Sequence, residues 1–553
     1  MGFKTRVLGC FPGRLIPLLA ACALLSGPAA AESIDVGRAT IGDINKAFAT
    51  GTLTSEKLVE LSLARINAYD RAGPSLHAVI TLNAKALEQA RALDAERKAG
   101  KIRSALHGIP VVLKDNFDTA DMPTTGGSVL LKGAVPAQDA FLVKKLRDVG
   151  AVVLAKLNLS EFATAGAFSS LGGQTLNPHD LTRSPMGSSG GTGAAVAAGY
   201  APLGMGTDTG GSVRLPASAH GIVGIRPTRG YASRSGIIPL SLSFDTAGPL
   251  ARTVSDIALA LPILAGVDPT DDVTKLGQGK TEASYAKYLK ADALKGARIG
   301  IARDFMGFDP DVDWAMESAV HAMKKAGATV VDVRYPAYML AWLDVRAAFM
   351  ASVRFPEAAA QISGYLAKTP PGYPKSMQEL VDRAYAFNGT GADGMRPNPA
   401  RWIQFTKDVA SGDLTDYRYK AVHDGGLALV RSIVAGLMAA DKLDAIVYPV
   451  QPVRTPLIAE PPAQPGAKTP PASTVVASIT GFPDLTVPAG FTGDGLPVGM
   501  GLSGAGPFTE GRVLALGFSF EQATHALRQP IFTPPLPGGA IAVPGTTAAA
   551  GGQ

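Results

Sequence analysis

The sequence predicts an α/β fold, a buried sheet with helices on both faces. Two observations carry this. Short β-branched runs that are apolar at every position alternate with longer segments whose apolar residues recur every three or four positions, giving the order strand, helix, strand. The 553 residues, 46% apolar and 18% charged with 63 glycines and 41 prolines, describe a well-packed globular protein rich in tight connections. That length admits two domains or one large sheet-based domain.

The first segment is set aside as an export signal. Lys4, Arg6 and Arg14 precede the run LIPLLAACALLSG, and PAAA then leads to Glu32. The run is short for a bilayer span and Pro17 interrupts it, while Ala29 and Ala31 supply the small residues a signal peptidase reads. Residues 1–31 are expected to be removed, leaving a periplasmic or secreted protein. Two other fates stay open: a retained anchor, and a lipoprotein-type cut before Cys22, which the apolar residues beyond Cys22 weaken. Cleavage after Ala31 removes both cysteines, Cys10 and Cys22, so the remaining chain has no disulfide, thiolate metal site or cysteine nucleophile. It also removes three basic residues and no acid, taking the net charge from +6 to +3, too mild for a nucleic acid partner. No later window offers eighteen uncharged apolar residues, so no stable membrane insertion is expected.

After the signal, Leu53 and Thr54 open a helix, with Thr54 as its cap and Val59, Leu63, Ile66 and Tyr69 along one face. A second helix is expected from Asn83 to Lys98. The runs HGIPVVLKDN (107–116) and GAVVLAKLNLSEF (150–162) suit central strands, and Phe141, Leu142, Leu146 and Val149 mark a helix between them. Residues 336–424 are helix-like and aromatic-rich, broken by TPPGYP and NGTGADGMRPNP, and read as an insertion beside the sheet. The sheet resumes at LDAIVYPV (443–450), passes a proline-rich loop over residues 451–471, and closes with DLTVPAG and GLPVGMGLSG. Residues 534–553 are low in complexity and expected to be disordered, at most a tether.

The chemistry concentrates in the glycine- and serine-rich window from Met186 to Arg214. Anion binding through GTGAAV would need a strand just before it, and the preceding LTRSPM is a turn. Gly187, Ser189 and Gly191 satisfy G-x-S-x-G, but a nucleophile elbow also needs an entering strand and a histidine partner. The seven histidines are scattered without a catalytic context. A serine lacking histidine needs another base, and Lys114 and Lys156 both stand at the ends of apolar runs, where α/β sheets assemble their sites. Burial there lowers a lysine's pKa toward that of a base. Snorkelling to water is the plainer role for such a lysine.

The combination of segments decides between these roles. HGIPVVLKDN around Lys114, SPMGSSGGTGAAVAAG around Ser188 and PLGMGTDTGGSVRLPASAHGIVGIRPT around Ser212 resemble the amidase signature family, and supporting matches run from about residue 40 to residue 525. The resemblance implies one large domain, residues 32–533, around a twisted mixed sheet with residues 336–424 as a variable pocket insertion. It implies an amidase with Ser212 as nucleophile, Ser188 as bridging serine after a cis peptide bond, and Lys114 as base. Backbone amides at Thr209, Gly210, Gly211 and Ser212 would form the oxyanion hole. Asp208 and Arg214 would support the loop, and Ser189 would orient Lys114 or Ser188. Lys156 reads as structural. Met186 departs from the glycine usual before GSSGG, and Thr192 replaces a common serine, so the pocket wall is open to change. No metal or organic cofactor is implied, and the partner is a small-molecule or peptide amide. The N-terminal helices look similar to exported bacterial peptide amidases, with aryl acylamidase activity the nearest rival. Trp342, Phe349, Tyr373, Tyr385 and Trp402 would shape specificity.

Overall fold

The computed structural model describes residues 1–2, 32–164, 166, 168–342, 350–387, 394–459 and 470–543. Residues 3–31 of the expected signal, both cysteines, Phe349 and the side chain of Trp342 lie outside them. In chain order the strands are β1 (Glu32–Asp35), β2 (Val79–Leu82), β3 (Pro110–Lys114), β4 (Val152–Leu157), β5 (Phe168–Ser169), β6 (Gly173–Gln174), β7 (Leu203–Asp208), β8 (Val223–Arg226) and β9 (Thr246–Ala251). There follow β10 (Arg298–Ala302), β11 (Thr329–Val333), β12 (Ala445–Pro449), β13 (Asp484–Phe491), β14 (Pro497–Gly504) and β15 (Ala540–Val543). Eleven of them form one mixed sheet in the order β11-β10-β12-β14-β13-β8-β9-β7-β3-β4-β2. Its parallel pairs lie at β11/β10/β12 and β7/β3/β4, and the remaining pairs are antiparallel. This is the single-domain, two-faced sheet expected.

Residues 111–113 show why the runs are apolar throughout. Successive side chains of a strand point to opposite faces. Val111 and Leu113 enter one core with Ile41, Leu142 and Leu261, while Val112 enters another with Val59, Ala90 and Ala195. The helices α1 (Ile41–Ala49), α2 (Ser55–Ile66), α3 (Ala86–Lys98), α4 (Phe141–Asp148), α5 (Gly190–Ala197), α6 (Arg214–Ala219) and α7 (Val254–Leu264) divide between those faces. Thr54 caps α2, its Oγ1 accepting from Lys57 N at 3.1 Å. The second expected helix begins at Ala86 rather than Asn83, because the Asn83 side chain accepts from Lys85 N and holds a turn there.

Beyond α8 (Pro310–Lys325), the insertion folds as α9 (Ala351–Leu366), α10 (Met377–Ala386), α11 (Pro399–Val409) and α12 (Tyr417–Lys420). It does not end at Asp424. A π turn at Ala421–Gly426 runs straight into α13 (Leu427–Ala440), and only then does β12 begin. The run Tyr417–Ala440, which contains an 18-residue window of mean hydropathy 1.3, is long and apolar enough to cross a membrane by length and composition alone. It buries Leu427, Val430, Val434 and Met438 against β12 and α14 (Val475–Thr480), and α15 (Glu510–Thr524) completes the helices.

The expectation of a disordered tail is corrected for its described part, residues 534–543. β15 pairs antiparallel with β1, and Ile541 and Val543 are buried. Tyr69 Oη donates to Pro534 O at 2.6 Å, and Arg65 Nη2 donates to Thr533 O at 3.0 Å. A compositionally simple segment is ordered here because the side chains of Arg65 and Tyr69 supply donors to its carbonyls and a strand supplies its ladder. Deleting residues 538–553 is expected to cost about 3 kcal/mol in a urea titration, from two lost apolar burials and the strand pairing. An unchanged midpoint would mean that the strand contributes nothing.

Candidate active site

β3 and β7 are parallel neighbours with Leu113 beside Met205, so Lys114 and the pair Thr207–Asp208 emerge at the same sheet edge. Carboxyl ends of parallel strands are where α/β sites assemble. Lys114 is fully buried, and its Nζ donates to Ser188 Oγ and to Thr207 Oγ1, each at 2.7 Å. Burial pushes its pKa down to about 7, against the charges of Asp208 and Asp245, which hold it up. An ordinary lysine would need roughly 4 to 5 kcal/mol to become neutral at pH 7. Here the fold has already met that cost.

Ser188 follows a cis Gly187–Ser188 peptide bond, and its carbonyl accepts from Ser160 N at 3.0 Å. Met186, at the position where glycine is expected, has φ +53°, the left-handed region that glycine enters most easily. α5 then starts at Gly190 with all eight residues buried, and a Cβ on Gly191 would sit 2.3 Å from Asn158 O. No strand enters this turn, which removes both the dinucleotide and the nucleophile-elbow readings.

Asp208 organises the following loop. Its carboxylate accepts from Gly211 N at 2.9 Å and Val213 N at 3.0 Å, and forms ion pairs at 3.0 Å with both Arg214 and Arg226. Burial alone would raise this carboxyl, but the two guanidiniums outweigh it and hold the group well below the ordinary carboxylate range. Arg214 also reaches Asp484, Thr474 O and Ser478, tying the loop to β13 and α14. Ser212 is half-buried, and Ser189 N donates to its carbonyl at 3.2 Å, which joins the two serine loops.

Three expectations change in detail. The Ser189 hydroxyl donates to Thr207 O at 3.3 Å and reaches neither Lys114 nor Ser188. The residue that holds Lys114 is Thr207, itself accepting from Asn116 Nδ2 at 3.0 Å; the only sequence signal was a threonine at the polar end of an apolar strand. Among the four expected oxyanion amides, that of Gly211 is occupied by Asp208, whereas those of Thr209, Gly210 and Ser212 donate to no protein group among the described residues. Gly211 still has to be glycine, with φ +134° and only 2.6 Å between an added Cβ and Thr474 Oγ1.

The remaining candidates fall in place. Lys156 is buried in an ion pair with Asp115 at 3.0 Å and donates to Thr124 Oγ1, a structural role. His107, His179 and His220 bond backbone carbonyls, and no histidine hydrogen-bonds a serine among the described residues. Of the insertion aromatics, Tyr373 donates to Lys132 O, and Tyr385 is 54% exposed and packs on Trp402 at 5.7 Å. Met350, at the start of α9, reaches the Ser212 loop, and its Cε lies 3.1 Å from the place a Cβ on Gly210 would take.

Comparison with known proteins agrees with this geometry. The family model described as Amidase matches residues 57–514. A glutamyl-tRNA(Gln) amidotransferase subunit of Symbiobacterium thermophilum is 35% identical over 499 residues, covering 89% of this chain and 98% of the relative. The corresponding subunit from Methanosarcina barkeri is 36% identical over 488 residues, 86% of this chain and 97% of the relative. The native peptide amidase of Stenotrophomonas maltophilia superposes with a TM-score of 0.79 at 36% identity, covering 90% of this chain and 99% of that one. With a buried lysine against a serine at one sheet edge and family similarity along nearly the whole chain, this protein belongs to the amidase family and is an amide-hydrolysing enzyme.

Proposed function

We propose that Lys114, Ser188 and Ser212 form a proton relay that hydrolyses carboxamide C–N bonds through an acyl-Ser212 intermediate. The single observation carrying this reading is the fully buried Lys114 Nζ, 2.7 Å from Ser188 Oγ. With Nζ neutral, that contact runs from the Ser188 hydroxyl to the amine lone pair. Ser188 then accepts the Ser212 proton as Ser212 Oγ attacks the carbonyl carbon. The C–N bond breaks, and the relay run in reverse returns the proton to the departing amine. A water molecule deacylates the serine by the same route. The amides of Gly210 and Ser212, with Thr209 beside them, receive the developing oxyanion.

The substrate class proposed is the C-terminal amide of a peptide. Support comes from the resemblance of the N-terminal helices and from the likeness to the Stenotrophomonas peptide amidase. The protein is proposed to be exported, on the basic, apolar and small-residue pattern of residues 1–31; amino-terminal sequencing of the protein from its producing cell should begin at Glu32. A second reading, the glutamine-hydrolysing member of an amidotransferase complex, is favoured by the identity to the Symbiobacterium and Methanosarcina sequences.

An amide panel separates these. Ammonia release from an amidated dipeptide by the isolated chain supports the first reading. Release from glutamine alone supports the second, and cleavage of an anilide without ammonia release supports an aryl acylamidase. No turnover of any of them would leave a binding protein and overturn the proposal.

A further inference from the structure

We infer that Glu357 of the insertion is a positioning residue for the Ser212 loop, acting through the turn Leu240–Asp245. The inference rests on the Ser212 relay and oxyanion site proposed above. Glu357 is buried, and its two carboxylate oxygens accept from four donors. Ser241 Oγ lies at 2.6 Å, Ser243 N at 3.1 Å, Ser243 Oγ at 2.5 Å and Tyr419 Oη at 3.0 Å. One turn along α9, Gln361 Oε1 accepts from Leu242 N at 2.8 Å. Three consecutive residues of the turn are therefore hung from one helix of the insertion.

The far end of the turn holds the site. Asp245 Oδ1 accepts from Thr209 Oγ1 at 2.5 Å, while Oδ2 accepts from Leu240 N at 2.8 Å and Ser241 N at 2.9 Å. A hydroxyl has one proton to give, so this bond fixes the Thr209 side chain and restrains the peptide leading to Gly210. The Gly210 amide is one of the loop amides that donate to no protein group among the described residues. The path from α9 to that amide is continuous: Glu357, Ser241 and Ser243, Asp245, Thr209, Gly210. Every residue named on it except Gly210 is buried, so water does not substitute for a lost partner. The insertion thus does more than wall the pocket. It sets the orientation of an oxyanion donor, which acts on the transition state rather than on substrate binding.

The experiment compares two deletions at the same carboxylate oxygen. Ser243→Ala and Tyr419→Phe each remove one hydroxyl bonded to Glu357 Oε1, but only Ser243 is on the turn. Steady-state kinetics on the amide turned over best in the panel should show kcat down about tenfold for Ser243→Ala with KM within about twofold. Tyr419→Phe should keep parental kcat despite a comparable fall in melting temperature. Glu357→Ala should fall further than Ser243→Ala, and Glu357→Gln should recover most of the loss; if Glu357→Ala does not fold, the two hydroxyl deletions decide. Equal kcat for Ser243→Ala and Tyr419→Phe, or a loss carried by KM, overturns the inference. Ser212→Ala is run in parallel: if it retains turnover, the relay reading itself fails, whereas a dead Ser212→Ala beside a fully active Ser243→Ala refutes only the positioning role.

Discussion

Ser212→Ala is expected to lower amide turnover by on the order of 10^4 or more, and Lys114→Ala by a similar factor. In the proposed relay each removes a member of one unit, since the proton leaving Ser212 would end on Lys114 through Ser188. For the same reason the double variant should be no worse than either single one, because loss of a unit is not additive. Ser189→Ala provides the contrast. Its hydroxyl meets only the Thr207 carbonyl among the described residues, so a loss of less than about tenfold is expected. The measurement is kcat/KM for ammonia release, with folding checked by circular dichroism. Were Ser189→Ala inactive and Lys114→Ala nearly normal, the chemistry would belong to another serine and another base.

The second large effect links activity to stability through one amine. Only neutral Lys114 accepts a proton, and its pKa is pushed down to about 7, so kcat/KM should rise with pH through that value and fall about tenfold per pH unit below it. Stability is set against the unfolded chain instead. In the unfolded chain the lysine titrates near 10.4, so between pH 7 and about 10.4 the unfolded state binds a proton that the folded state has released. Stability therefore increases with pH across that window, and the full burial cost is present below pH 7. Lys114→Met removes a cost of roughly 4 to 5 kcal/mol at neutral pH and leaves two hydroxyls short of a partner, at about 1 kcal/mol each. A net gain of about 3 kcal/mol is expected, in a variant with no activity, together with a flatter stability profile between pH 7 and 10. A variant less stable than the parent with an unchanged profile would show that Lys114 is not held in an ionisation-suppressing site.

The strands around the site were legible because a strand buried on both faces has few ways to be written. Val111, Val112 and Leu113 had to be apolar at every position to enter two cores at once. The cap at Thr54 was legible for a local reason too, as its hydroxyl meets an amide three residues away. The tail escapes such a reading because composition reports on what a segment can bury by itself. Residues 534–543 are held by partners such as Tyr69 and Arg65, more than 450 positions earlier in the chain. Ser189 has a different neighbour from the one expected because adjacency in GSSGG carries no direction: after the cis bond, Ser188 faces Lys114 and Ser189 faces β7.

Thr207, Asp245, Met350 and Glu357 were beyond the reach of motif reading. Each is an ordinary residue for its element, and its role arises from a contact between elements. Gly211 shows the same limit in a residue that the motif singles out. Its backbone, with φ +134°, suits glycine, yet its amide serves Asp208 instead of remaining free for an oxyanion.

By itself the amino-acid sequence determined the α/β class, the apolar strands that carry Lys114 and Lys156, and the order of the glycine- and serine-rich loops, because periodicity and turn chemistry are local properties of the chain. Only the tertiary structure decided what surrounds each lysine. Lys114 and Lys156 are equally buried, but Lys156 meets the carboxylate of Asp115 and Lys114 meets two hydroxyls. A buried ammonium among neutral hydroxyls is driven to give up its proton, and the neighbours that surround Lys114 are brought together from distant parts of the chain.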